Sequence, residues 1–297
     1  MLHFIRSHFV SLSLAIAALF LLQGFSIAAQ ERPALWKAEE GQSTVYFLGT
    51  IHLMTEDVQW YEGAVEEAFR SSKTLIVEVN PSELSRKEQV AIIRELAILP
   101  SGKKLSDIIS EKQMGSLEEL LQPAGVSKPV IQQWRPWYAG LTATGLAARQ
   151  AGFHSKYGVD VQLLKKARKQ GMEIRQLETF REQLEIFSQL DRDEALYFLR
   201  DSLEKQDEMQ ELFERLKKSW LRADLADLQE VLLDSMEENP SFYETIYVER
   251  NTRWLPEIKK LFEQPGTYFV ALGTGHLIGE DGIIARLKKK EISVSRH

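Results

Sequence analysis

One ten-residue stretch occurs twice in this chain, near opposite ends. Residues 48–57 read LGTIHLMTED and residues 272–281 read LGTGHLIGED, with seven positions identical. Each copy follows an apolar run of β character, Thr44 to Phe47 and Tyr268 to Ala271, and each precedes a segment of helical pattern. A repeat in matched settings constrains the fold more than any composition figure. It predicts two similar strands, each ending in Gly-Thr-x-His, with the chain turning or a ligand approaching closely at Gly49 and Gly273, where no Cβ intrudes. In open α/β sheets, ligands bind outside the carboxyl ends of strands. Two such strands side by side bring His52 and His276 into one cleft. A single histidine there would be read as satisfying local hydrogen bonds; the matched pair favours a shared site.

The rest of the pattern supports an α/β fold, a central mixed β-sheet flanked by helices with a largely helical cap or insertion. Ala34 to Ala38 and Thr44 to Gly49 read as a hairpin. Tyr61 to Ser71 has helical spacing, Thr74 to Val79 reads as a strand, and Ser82 is placed to cap a helix reaching about Leu99. Tyr157-Gly158-Val159-Asp160 opens a helix to Gln170 that stops at Gly171, Met172 to Leu177 reads as a strand, and residues 180–262 are almost wholly helical. Thr267 to Leu272 forms the second repeat's strand, Gly282 to Lys290 a helix, and Ile292 to Val294 a short edge strand. Trp134 and Trp137, which bracket Arg135-Pro136, fit core packing better than a substrate groove.

Composition removes several classes of function. The 297 residues carry 37 basic and 43 acidic side chains, a formal charge of -6, which lacks the basic footprint of a nucleic-acid partner. There is no cysteine, so disulfides, zinc-thiolate sites and thiol nucleophiles are excluded. Arg6, the apolar run Phe9 to Leu22 and the small residues Ser26-Ile27-Ala28-Ala29 read as a secretory signal peptide over residues 1–29. This leaves a mature domain over residues 30–297, expected to be soluble and periplasmic, with no stable membrane insertion after cleavage and no legible oligomeric state. The Gly-x-Ser-x-Gly, Gly-x-x-x-x-Gly-Lys, Gly-x-Gly-x-x-Gly and His-Glu-x-x-His signatures are all absent.

What remains is a set of groups at predicted strand ends. Glu78 belongs to an apolar strand and Glu178 follows another, and a carboxylate in such a setting needs a cation, hydrogen-bond donors or solvent. His52, Glu78 and His276 together form a two-histidine, one-carboxylate set able to hold Mn, Co or Zn and activate water. Pairing of Glu78 with a structural arginine is the equal alternative. Glu56-Asp57 and Glu280-Asp281 are read as helix-start acids.

Paired Gly49-Thr50-Ile51-His52 and Gly273-Thr274-Gly275-His276, with Glu78 on the next strand, resemble the TraB/GumN family, which is related to the Tiki metalloproteases and more remotely to the erythromycin esterase and ChaN-like group. The resemblance runs from about Ala34 to the end and takes in Gly158-Val159-Asp160, Leu177-Glu178-Thr179 and Glu249-Arg250-Asn251. It implies a metal-dependent, peptidase-like hydrolase with a divalent metal on His52, Glu78 and His276. In that reading Arg250 is an in-site cation for a carboxylate or oxyanion, and Gly49, Thr50, Gly273, Thr274, Glu178 and Asp160 face a peptide or small ester substrate. Two further readings stay open: a noncatalytic binder of peptides or of an envelope-pathway component, and a metal-free esterase-like hydrolase with a histidine base.

Overall fold

The computed structural model describes residues 32–233 and 239–297. The predicted signal peptide therefore lies outside the described residues. Six strands form one mixed sheet: β1 (Leu35–Glu40), β2 (Ser43–Thr50), β3 (Thr74–Val77), β4 (Glu173–Gln176), β5 (Gly266–Gly273) and β6 (Val294–Arg296), in the order β4-β3-β5-β2-β1-β6. The β1–β2 hairpin is antiparallel, with Glu40 opposite Ser43, and β6 lies antiparallel on the outer side of β1.

The two repeated strands are direct neighbours. β2 and β5 run parallel, with Gly49 opposite Leu272 and Thr50 opposite Gly273. On its other side β5 pairs in parallel with β3, which pairs in parallel with β4. Four strands thus end on one edge of the sheet, and their next residues include His52, Glu78, Glu178 and His276. The inner strands are buried along nearly their whole length, as parallel strands covered on both faces must be. Phe47, Phe69 and Phe269 are completely buried in the main core, and rings of this kind each contribute about 1.5–3 kcal/mol by leaving water.

A second core holds the helical part together. Leu105, Leu117, Ile131, Trp134, Ala139 and Leu199 cluster among the helices Glu111–Leu121, Pro136–Gln150 and Arg192–Glu204. Trp137 is likewise buried, against Ala97 and Ala195, so both tryptophans are packing residues. One helix of the 180–262 stretch reaches the sheet directly: Trp220, on Met209–Leu221, donates from Nε1 to the Gly49 carbonyl at 2.8 Å. Among the described residues no helix is long and apolar enough to cross a membrane.

The structure moves several expected boundaries. β3 stops at Val77, so Glu78 stands just beyond the strand rather than inside it. The helix expected from Ser82 begins at Arg86, because Pro81–Glu83 forms a separate turn and Ser85 makes the capping box with Glu88. The helix expected from Tyr61 begins at Ala64, after Gly63 breaks the chain with φ 53. The last strand is Val294–Arg296 rather than 292–294, set by its register against Trp36 and Ala38.

Candidate functional site

The helix Val159–Gln170 holds the first histidine. Its Val159 amide donates to the Ile51 carbonyl at 2.9 Å, and a Cβ at Gly158 would collide with the His52 carbonyl oxygen, so only glycine lets the helix start seat against this loop. The next residue, Asp160, places Oδ1 3.4 Å from His52 Nδ1. The other ring nitrogen faces inward: the point a Gly273 Cβ would occupy lies 2.9 Å from Glu78 Oε1, 3.5 Å from His276 Cδ2 and 3.9 Å from His52 Nε2. Glycine at 273 therefore keeps open a small hollow bordered by Glu78 and both histidines. The His52 side chain is 58% exposed, and Asp160 27%.

Beneath the hollow lies a buried ionic cluster supplied by the helix Glu249–Lys260. Arg250 donates from Nε to Glu178 Oε2 at 3.2 Å, from Nη2 to Glu178 Oε1 at 2.6 Å and to Glu78 Oε2 at 2.8 Å, and from Nη1 to the Ile246 carbonyl at 3.2 Å. Its last contact joins Nη1 to His276 Nε2 at 2.8 Å. A guanidinium has five N–H donors and no acceptor, so Arg250 is saturated and His276 Nε2 must accept. The proton of His276 then sits on Nδ1 and is donated to Asn251 Oδ1 at 2.8 Å; Asn251 in turn donates to the Asp281 carbonyl at 2.9 Å. Glu78 Oε1 accepts the Gly273 amide at 2.5 Å.

The electrostatics follow from these contacts. Burial opposes ionisation of Glu78, but Arg250, His52 and the Gly273 amide overcome it and bring it down to about 2. Burial pushes Glu178 up, and repulsion from Glu78 adds to this despite Arg250. His276 is lowered to about 3 by burial, with Arg250 adding to the effect, so it is neutral at ordinary pH. Crowding lowers His52 and Asp160 with Glu78 raises it, the net being upward to about 9. The ring is open to water, so solvent screening weakens that attraction. Tyr247 edges the His276 ring at 5.0 Å, and burial raises its hydroxyl to about 12. Trp254 lies 4.5 Å from the His276 ring on the same helix as Arg250.

The structure thus gathers His52, Glu78, Glu178, Arg250, His276, Gly273 and Asp160 at one edge, as the sequence pattern anticipates. It gives several of them different work. Thr50 and Thr274 are buried, and the Thr274 hydroxyl donates to the Thr50 carbonyl at 3.0 Å, so both fasten β2 to the turn after β5 instead of facing a ligand. Gly49 is fixed by Trp220. Glu178 is buried and spent on Arg250. Arg250 holds two carboxylates but has no donor left for an oxyanion. His52, Glu78 and His276 do not present three free lone pairs to a common point: both His276 nitrogens are engaged and each Glu78 oxygen already accepts a hydrogen bond. Among the described residues no cluster of three metal-binding side chains is arranged for an ion. The arrangement does not fit the expected metal, and no step is derived through one.

Sequence reading passed over Tyr247 and Trp254, and gave Asn251 no role beyond its place in the Glu249-Arg250-Asn251 motif. With Arg250 they occupy positions i, i+3, i+4 and i+7, one face of a helix, and that stripe was the available signal. Just before Glu249 the backbone takes one wider turn, a π-helix over Glu244–Val248, a feature frequent at functional sites. A cavity of about 350 Å³ opens next to the His52 loop, between Thr55, Trp60 and Tyr61 on one side and Tyr157, Gln162 and Lys166 on the other.

Known proteins share this chain over most of its length. It is 26% identical over 256 residues to a protein of Escherichia coli strain K12 described as the uncharacterized protein YbaP, covering 86% of this chain and 92% of the other. A Shigella flexneri protein of the same description matches to the same extent. An uncharacterized protein of Treponema pallidum strain Nichols is 20% identical over 279 residues, covering 90% of this chain and 83% of its own. The sequence model of the TraB/PrgY/gumN family matches residues 34–296, from the start of the hairpin to the last strand, and the chain belongs to that family.

Proposed function

We propose that the mature protein is a periplasmic hydrolase of peptide or small ester bonds in which His52 moves the proton. The carrying observation is the His52 ring itself. Its Nδ1 is backed by Asp160, and its Nε2 faces the hollow above Gly273 that Glu78 also borders. A water in that hollow is in position to attack a bound carbonyl while Nε2 takes its proton, and the imidazolium then returns that proton to the leaving group. Asp160 fixes the tautomer and stabilises the charged ring, as the carboxylate partner of a catalytic histidine does. Glu78, held ionised below, favours the same charged form. The aromatic cavity beside the loop is the natural berth for a substrate side chain. Export rests on the apolar leader of residues 1–29.

The test is turnover of nitrophenyl esters and fluorogenic peptides by mature protein, with and without chelator, beside His52→Ala. Activity that survives chelation and falls by roughly 10²–10⁴-fold in His52→Ala supports the proposal. Chelator-sensitive turnover would return the reading to a metallohydrolase. Tight peptide capture without cleavage, unchanged in His52→Ala, would make the protein a binding module.

A further inference from the structure

We propose that the cavity beside the His52 loop is a carboxylate subsite in which Lys166 receives the acidic end of the substrate, whether a peptide C-terminus or an acidic side chain. The inference rests on the hydrolase reading for where the scissile carbonyl lies; the charge preference of the cavity rests on its own lining.

The cavity is built on the same two segments as the pair of His52 and Asp160. One wall, from Thr55 to Glu62, continues the chain from His52. The other belongs to the helix Val159–Gln170, which carries Asp160 in its first turn and Lys166 further along. Gln162, one turn before Lys166, donates to the Lys156 carbonyl at 2.7 Å, so the turn bearing Tyr157 is fixed to this helix. At about 350 Å³ the space stands at the small end of ligand pockets and admits a residue or two. The step from Asp160 to Lys166 rises about 9 Å along the helix, a length spanned by roughly two to three extended residues. A substrate with its carbonyl at His52 and its carboxylate at Lys166 therefore has the two groups that far apart.

Charge selects the occupant. Lys166 is partly buried, its Nζ lies 3.6 Å from the centre of the Tyr61 ring, and among the described residues no carboxylate is ion-paired with it. Burial pulls its ammonium below the usual lysine range, with Glu66 opposing. A substrate carboxylate supplies the missing partner through a charge-assisted hydrogen bond. A cationic group does not fit, because the aromatic faces that would hold it carry the chain's own lysines, Lys166 on Tyr61 and Lys156 on Tyr157 at 4.4 Å. Trp60 is buried edge-on against Trp220. Glu56 and Glu62 also line the cavity, so it accepts one negative charge at Lys166 and repels a second.

Binding is measured by calorimetry on His52→Ala, which suppresses turnover, with N-acetyl-trialanine as the free acid, its C-terminal amide, and amides ending in glutamate or lysine. At least one carboxylate probe should bind tenfold or more tighter than the alanine amide, and whether it is the free acid or the glutamate amide tells chain end from side chain. Adding Lys166→Met should abolish the preference. Lys166→Arg should keep it, as should Lys165→Met, an exposed neighbour outside the cavity. Carboxylate probes no tighter than the alanine amide, tighter binding of the lysine amide, or a preference that persists in Lys166→Met would overturn the proposal. Turnover by the native protein separates it from the hydrolase reading. Cleavage without acid preference removes the subsite alone, whereas acid-selective binding with no cleavage of any peptide or ester removes the hydrolase alone.

Discussion

The Gly273 amide donates to Glu78 Oε1 at 2.5 Å, joining the end of the central strand to the carboxylate that follows its neighbour. The contact exists because residue 273 has no side chain: a Cβ there would sit 2.9 Å from the same oxygen. Since Glu78 is held from its other oxygen by Arg250, it cannot swing aside.

Gly273→Ala should therefore overpack a rigid spot and cost about 1–3 kcal/mol. Denaturant unfolding measures this. Gly115→Ala, at a helical position where an added Cβ meets nothing within 4 Å, is the control and should instead stabilise by about 0.5–1 kcal/mol. Equal effects at the two positions would show that the Glu78 contact is not restrictive.

Arg250→Met should destabilise by about 3–5 kcal/mol at neutral pH, because two buried carboxylates lose their counter-charge. The sign of the pH dependence follows from Glu78. Its carboxyl stands near 2 against an ordinary 4.5, so its stabilisation is present above about pH 4.5 and is lost as pH falls toward 2. The stability gap between native and variant chains should narrow over that interval. A gap that stays constant from pH 7 to pH 3 would mean that Arg250 acts through packing alone.

His52 works in the opposite direction. With its pKa raised from 6.5 toward about 9, the stabilisation it gives is complete below about pH 6.5 and disappears as pH rises through the folded value. Nuclear magnetic resonance titration of the ring should place its midpoint above 6.5, and Asp160→Asn should lower it. In the proposed reaction the rate should climb along the same curve, since the neutral ring is the base. A native midpoint at or below 6.5 would remove Asp160 as its partner.

Asn251→Ala should leave the His276 Nδ1 proton buried without an acceptor, at a cost of about 1–3 kcal/mol. Imidazole nitrogen resonances should report the Nδ1-protonated tautomer in the native chain and a loss of that preference in the variant. An unchanged tautomer would mean that Arg250 alone selects it.

The sheet and its reactive edge were legible because they rest on repeated local chemistry. Two copies of Gly-Thr-x-His after apolar runs foretold that β2 and β5 share an edge, and the apolar strand expected over Thr74 to Val79 foretold that Glu78 joins them, although it ends at Val77. What those groups do to one another was less legible. Whether Glu78 meets a metal or an arginine depends on a helix more than 170 residues further along, and no spacing near Glu78 encodes its arrival. The repeated threonines show the limit of motif reading: both recur, yet Thr274 is spent on the Thr50 carbonyl. Helix starts shifted where a second capping signal lay within a few residues of the first, as Ser85 does after Ser82.

β5 stands at the middle of the sheet between β3 and β2, but it is among the last segments to be synthesised. Until residue 273 has emerged, β2 and β3 have no shared neighbour and Glu78 lacks the Gly273 amide. The growing chain thus carries its central vacancy almost to the end of translation. Loss of the final thirty or so residues would take away the keystone of the sheet rather than trim its margin.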